Sequence, residues 1–184
     1  NDETYCVAGN QLGKDYVTGF IVLCKFLRCI KTGRTCRIVT TSVAEHHLAV
    51  LWGEISRFIT TSAHPLLDKD GGPLTVNHME IRRASEKDAK NPLNYLVGRV
   101  SAKGEGLAGH HAEETLGVGD EASGIADETY KMFQGWTDGG YNHGIGKSFK
   151  GKLFIGNPNP CQNFFIKSIK GGDLLAPQTQ GAAA

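Results

Sequence analysis

The stretch "VAGNQLGKDY", Val7 to Tyr16, decides how this chain is read. Its core, Ala8-Gly9-Asn10-Gln11-Leu12-Gly13-Lys14-Asp15, follows the pattern G-x-x-x-x-G-K-[ST] with two departures. In that pattern a glycine-rich turn aims backbone N–H groups at phosphate oxygens. The lysine reaches the β and γ phosphates, and the closing hydroxyl binds Mg2+. Ala8 takes the first glycine position, a mild change because Gly9 follows at once. Asp15 takes the hydroxyl position. A carboxylate is a good hard ligand for Mg2+, yet without the metal it adds negative charge beside the phosphates. Asp15 can equally be a first-turn residue stabilised by the helix dipole. Two readings therefore stand: a nucleotide site with one altered ligand, or a strand-to-helix turn with spare glycines.

The context is the one a phosphate loop requires. "ETYCVA" (3–8) reads as a strand before the loop, and Lys14 to Lys31 as a helix after it. In that helix Val17, Phe20, Ile21, Cys24, Leu27 and Ile30 recur mostly at steps of three. The helix would turn its positive dipole end to the phosphates. Further strands are expected at "TCRIVTT" (35–41), "LTVNHMEIR" (74–82), "NYLVGRVS" (94–101), "ETLGVGDE" (114–121) and "GKLFIGN" (151–157). Ser42 to Ile59 reads as a second helix, with Leu48, Leu51, Trp52, Ile55 and Ile59 inward and Ser42/Glu45 as a capping box. A third helix is expected from about Ala126 to Trp136, and "CQNFFIKSIK" begins a strand or a helix. "RRASEKDAKNP" reads as an exposed charged connection. This alternation predicts an α/β domain with a mostly parallel sheet, whose ligand sits at the carboxyl ends of the strands.

A second acidic motif falls at such an end. "TLGVGDEASG" closes the fifth strand with Asp120 and Glu121. Such a pair can bind the Mg2+ shell with the first acid and polarise an attacking water with the second. Neighbours on a strand point to opposite sides, so both serve one site only if the strand breaks there, and Ala122-Ser123-Gly124 supplies the break. The bland alternative is a solvated turn with two charges. Gly117 and Gly119 are unusual inside a strand expected to be central, unless something approaches it closely.

Bulk properties frame these motifs. The chain has 184 residues, 40% hydrophobic and 21% charged, enough for one domain with a core. One domain is expected over 1–175 and a frayed tail over 176–184; a first residue other than Met suggests a piece of a longer chain. The net charge of +1 neither indicates nor excludes a nucleic-acid partner. Five cysteines without C-x-x-C, and no secretory signal, point to a reducing intracellular setting. The longest apolar run, Phe20 to Leu27, is too short and too charged to span a bilayer.

Other candidates carry less. His46-His47 and His110-His111 lack the i, i+4 spacing of a helical zinc site, and His110 and His111 are read as loop packing near the nucleotide. Cys24, Cys29 and Cys36 read as small core residues, and Trp52 and Trp136 as packed on helices. Arg82-Arg83 and Lys147, Lys150 and Lys152 are basic clusters able to meet phosphates, or ordinary solvated surface.

"VAGNQLGKD", "RIVTTSVAEHHLAVLWGEI", "GRVSAKGEGLAGHHAEETLGVGDEASGI" and "LFIGNPNP" together resemble, in order and spacing, the ATPase domain of phage terminase large subunits. The resemblance runs from about Thr4 to Phe165. It implies a P-loop NTPase of the helicase-like (ASCE) type, a mostly parallel sheet flanked by helices, with the coupling strand between the loop strand and the acidic strand. It also implies ATP and Mg2+ as cofactor and metal. Ala8, Gly9, Asn10, Gln11, Leu12, Gly13, Lys14 and Asp15 would form the Walker A loop, and Asp120 the Walker B metal ligand beside Asp15. Glu121 would be the catalytic carboxylate. Gly156-Asn157-Pro158 resembles the coupling motif, with Asn157 sensing the γ-phosphate, and Thr40-Thr41-Ser42 resembles a segment that helicase-like motors place near nucleic acid. Implied partners are double-stranded DNA, a homo-oligomeric ring on a capsid portal and a small terminase subunit, with no membrane, in the host cytoplasm. The loop lacks the arginine that terminases often carry, and neither Lys103 nor Arg99 is assigned as an arginine finger. A helicase-like translocase of another kind and a nucleotide-binding structural module are the rival readings.

Overall fold

The computed structural model describes residues 2–9, 12–100, 110–138, 149–159 and 162–169. Among these residues seven strands form one sheet in the order β1-β7-β6-β2-β5-β4-β3. The strands are β1 (Asp2–Val7), β2 (Cys36–Ser42), β3 (Leu74–Asn77), β4 (Glu80–Arg83), β5 (Tyr95–Val100), β6 (Glu114–Asp120) and β7 (Phe149–Gly156). The first five in that order run parallel, and β4 and β3 are antiparallel additions. Strand β7 lies between β1 and β6, the placement expected of a coupling strand. The segment 74–82 is thus a hairpin, not one strand. His78, at φ 49, makes the reversal, and no Gly or Asn-Gly signalled it.

Helices cover both faces. On one side α1 (Lys14–Thr32) and α2 (Glu45–Thr60) pack Val22, Phe26, Leu48, Leu51 and Ile55 over Ile38, Leu96, Leu116 and Val118. On the other, α3 (Asp127–Asp138) and α4 (Phe164–Ile169) bring Phe133, Phe164 and Phe165 against Val39, Val97 and Phe154. The buried face of α2 is the predicted one. Its start is not: Ser42 is the last residue of β2, Ala44 is the N-cap, and no side chain caps the helix. Helix α1 buries Thr18, Gly19, Val22, Leu23, Phe26 and Cys29, while Val17, Phe20, Ile21 and Cys24 are exposed. Step-of-three counting found the helix, but of the stripe it picked only Leu27 and Ile30 pack against the core, because α1 is apolar on more than one side. Cys24 is accordingly no core residue, whereas Cys29 and Cys36 are.

All seven residues of β6 are buried. A Cβ on Gly119 would lie 2.6 Å from the Phe154 ring and 2.9 Å from the Ile125 side chain. The close approach expected of a strand glycine is therefore the neighbouring phenyl ring. At the amino end of the sheet Lys25 and Arg34 both pair with buried Glu114, and Lys25 also stands 3.8 Å over the Phe149 ring. No helix among the described residues is long and apolar enough to cross a membrane.

Candidate nucleotide site

The carboxyl ends of β1, β6 and β7 meet at one edge of the sheet. β1 runs into Ala8, whose N–H donates to the Gly156 carbonyl at 3.1 Å and extends the β1–β7 ladder by one step. Gly13 caps α1 at φ 74, ψ 24, a left-handed conformation that glycine adopts without a Cβ penalty. This turn starts the helix at Lys14 and points its first N–H groups out of the sheet edge. Asn10 and Gln11 lie outside the described residues.

Lys14 reaches across to the end of β6. Its Nζ donates to Asp120 Oδ1 at 2.8 Å and to Glu121 Oε1 at 2.5 Å, with Asp15 Oδ1 at 3.7 Å. The chain breaks at Glu121, which holds a left-handed φ of 50 and opens a short 3-10 turn, 122–124. A non-glycine residue in that region is strained. The effect is to put two successive acids on the same cation, which a continuing strand could not do.

Burial and charge act together here. Desolvation works against the Lys14 ammonium, but the hydrogen bonds it donates to Asp120 and Glu121 outweigh it and hold the lysine above its ordinary range. Desolvation pushes the Asp120 carboxyl up; Lys14 pulls it down and Asp15 raises it again, leaving it above the usual carboxylate range. The same contact that raises Lys14 only partly offsets the burial of Asp120. The lysine gains from two acids, whereas Asp120 shares a single cation with Glu121 and faces a third negative group. The upward direction for Asp120 follows from that imbalance and from its nearly complete burial.

The residues fit Mg2+. Asp15 Oδ1 is buried and has no hydrogen-bond partner among the described residues. Asp120 is a buried carboxylate within the same lysine's reach. Among the described residues no three His, Cys, Asp or Glu side chains form a ready metal cage. Mg2+ in nucleotide sites uses one or two carboxylates plus substrate phosphates, so a complete protein cage is not required.

Asn157 follows β7 and is buried. Its neighbour Gly156 packs so tightly that a Cβ there would come 2.9 Å from Ala122 N and 3.1 Å from Ser123 N. The loop after β7 thus lies directly against the turn after β6. Asn163 fastens the same turn, donating from Nδ2 to the carbonyls of Ala122 (2.9 Å), Ser123 (3.2 Å) and Ile125 (2.8 Å). Sequence reading missed Asn163; its partners are some forty residues away, and only an asparagine before "FFIK" hinted at it.

Other expectations are corrected. Thr40, Thr41 and Ser42 are fully buried in β2, so none presents its hydroxyl at the surface to nucleic acid. His110 bonds the Tyr95 hydroxyl where β5 begins, at the end of the sheet away from Lys14, so it does not pack near the candidate site. Lys150 and Lys152 are buried in β7, with Lys152 on Glu3 at 2.6 Å; they form neither a solvated surface nor a phosphate patch. Arg82 is held by Glu80 at 2.7 Å. Trp52 is packed as expected, its Nε1 donating to Thr40 Oγ1 at 3.0 Å. Lys103, Lys147 and the tail 176–184 lie outside the described residues, as does the side chain of Trp136.

No family model and no curated protein matches the sequence. Among solved structures the chain is similar to an arginine-to-alanine mutant of the large terminase ATPase domain of Thermus phage P74-26, with a TM-score of 0.52 and 16% identity. The match covers 90% of this chain and 63% of that one, so the chain spans less than two thirds of its neighbour's length. At that identity the likeness establishes the fold alone, a mostly parallel α/β sheet flanked by helices.

Proposed function

We propose that this chain is the Mg2+-dependent ATPase domain of a motor that drives viral DNA into a capsid. The observation that carries the reading is the Lys14 ammonium at 2.8 Å from Asp120 and 2.5 Å from Glu121, at the end of a left-handed glycine turn. A lysine so placed stands between the phosphate loop and the two acids that phosphoryl transfer needs. The packaging task rests on the motif resemblance and on the similarity of fold. With it come double-stranded DNA, a homo-oligomeric ring on a capsid portal, a small terminase subunit and the host cytoplasm.

Each side chain has a part in such a site. Lys14 and the loop amides of Ala8 to Gly13 neutralise charge on the β and γ phosphates. Glu121 accepts the proton of the attacking water, and its left-handed turn aims the carboxylate at the lysine rather than across the sheet. Asp120 and Asp15 would hold Mg2+, which would supply positive charge to offset the negative charge developing in phosphoryl transfer. Asn157, beside the turn that carries Glu121, relays the γ-phosphate state to the rest of the fold.

Nucleotide binding is measured on this chain with a fluorescent ATP analogue and Mg2+, and turnover in the assembled motor. Lys14→Ala should weaken binding by about 10²-fold or more, the scale of a lost oxyanion-type contact. Glu121→Gln should leave binding intact and lower kcat by about 10²- to 10⁴-fold, the range of a general base. Wild-type turnover from both variants rejects the assignment. Asp15 in the hydroxyl position favours the rival reading of a binding module, for which the wild-type motor would bind ATP without Mg2+-dependent turnover. Turnover stimulated by DNA but indifferent to an empty capsid portal would instead mark a translocase of another kind.

A further inference from the structure

The phosphate loop lacks its hydroxyl, and a buried hydroxyl stands across the site. Residues of one parity on β2 and β6 face α1 and α2: Ile38, Leu116 and Val118 pack with Val22 and Phe26, whereas Val39 packs with Phe154 on the other side. Thr40 keeps that parity and accepts the indole N–H of Trp52 from α2. Ser42 comes next on the same face. The parallel ladder pairs Thr41 with Gly119, so one further step sets Ser42 beside Asp120. Neighbouring strands lie about 4.8 Å apart, which makes these two side chains immediate neighbours.

Ser42 is fully buried, and its Oγ has no hydrogen-bond partner among the described residues. It does not cap α2. An unsatisfied buried hydroxyl costs free energy unless something completes it. Asp15 Oδ1, in the residue that displaces the loop hydroxyl, is likewise buried and without a hydrogen-bond partner. Two oxygens without hydrogen-bond partners therefore accompany Asp120 at the carboxyl edge of the sheet.

We propose that Ser42 is a positioning residue for the divalent cation, its hydroxyl holding a metal-bound water beside Asp120 and so supplying from β2 the hydroxyl that position 15 lacks. This rests on the nucleotide-site reading above. The segment Thr40-Thr41-Ser42 then serves the nucleotide from inside the sheet rather than nucleic acid from its surface.

The test is the affinity of Mn2+ for the chain saturated with ADP, followed by electron paramagnetic resonance, with metal-free ADP affinity as the control. Ser42→Thr and Ser42→Val have nearly the same shape and differ in the hydroxyl. The threonine variant should keep wild-type Mn2+ affinity. The valine and Ser42→Ala variants should lose about 10-fold, the lower end of what outer-shell partners contribute, with metal-free ADP affinity unchanged. The thermal midpoint of nucleotide-free Ser42→Ala should equal or exceed that of the wild type, since removing an unpaired hydroxyl leaves no partner stranded. Equal Mn2+ affinity in the threonine and valine variants overturns the role of Ser42 while leaving the nucleotide site standing. If neither bulkier variant folds, wild-type affinity in Ser42→Ala overturns it alone. A wild-type chain that binds no ADP overturns the parent reading, and this inference with it.

Discussion

At the scale of single residues the site is a compromise between burial and charge. Asp120 has a pKa above the usual carboxylate range because burial outweighs the lysine it shares. A carboxyl raised in the folded state favours folding below its ordinary range, and that contribution is lost as pH rises through the folded value. At neutral pH the ionised form therefore costs stability. Asp120→Asn should raise the thermal midpoint of the nucleotide-free protein at pH 7, and the gain should vanish as pH falls below the ordinary carboxylate range. Calorimetry across that window checks it, and a midpoint lowered at pH 7 contradicts it. Lys14 has the opposite bearing: its raised value means its contribution is present at neutral pH and is lost only above the ordinary ammonium range. Lys14, Asp120 and Glu121 were legible in the sequence because each sits in a short pattern whose chemistry fixes residue type and spacing. Ser42 was misread as a cap, since Ser-x-x-Glu is the same string whether serine starts a helix or ends a strand.

At the scale of elements the decisive piece is the turn after β6. It is strained at Glu121, wedged against Gly156 and fastened at three carbonyls by Asn163. Asn163→Ala frees those carbonyls, which should cost about 1–3 kcal/mol in urea unfolding and lower kcat more than nucleotide affinity. Unchanged turnover with lowered stability would confine Asn163 to a scaffold role. Gly119→Ala should destabilise by about 1–3 kcal/mol through overpacking against Phe154, with a shifted midpoint and an unchanged denaturant slope. Strand positions were readable because β-branched runs between turn residues are local signals. The hairpin at His78 was not, because a histidine took a conformation that sequence rules assign to glycine or asparagine. The inward stripe of α1 was equally hidden, for it depends on where α2 lies rather than on the periodicity of α1 itself.

At the scale of the whole molecule the two ends of the sheet divide the labour. The carboxyl end carries Asp120 and the strained Glu121, and the amino end is locked by Glu114 between Lys25 and Arg34. Leaving two cations without that buried carboxylate should be costly, so Glu114→Ala should lose about 3–5 kcal/mol in denaturant unfolding. Nucleotide affinity of the fraction still folded should stay at the wild-type value, and a selective loss of affinity would show that the ends are coupled. The insertion of β7 between β1 and β6 was foreseeable only through family resemblance, because strand order is a property of distant pairings that no local pattern encodes. The lysine lodged among the acids has a consequence for the order of assembly. In the resting protein Lys14 already acts as the counterion, so a bare divalent ion would have to evict an ammonium satisfied twice over. A triphosphate offers that ammonium new partners, and the eviction then becomes a trade. Metal and nucleotide should therefore load as one package, and a cation arriving alone should find the door held shut from within.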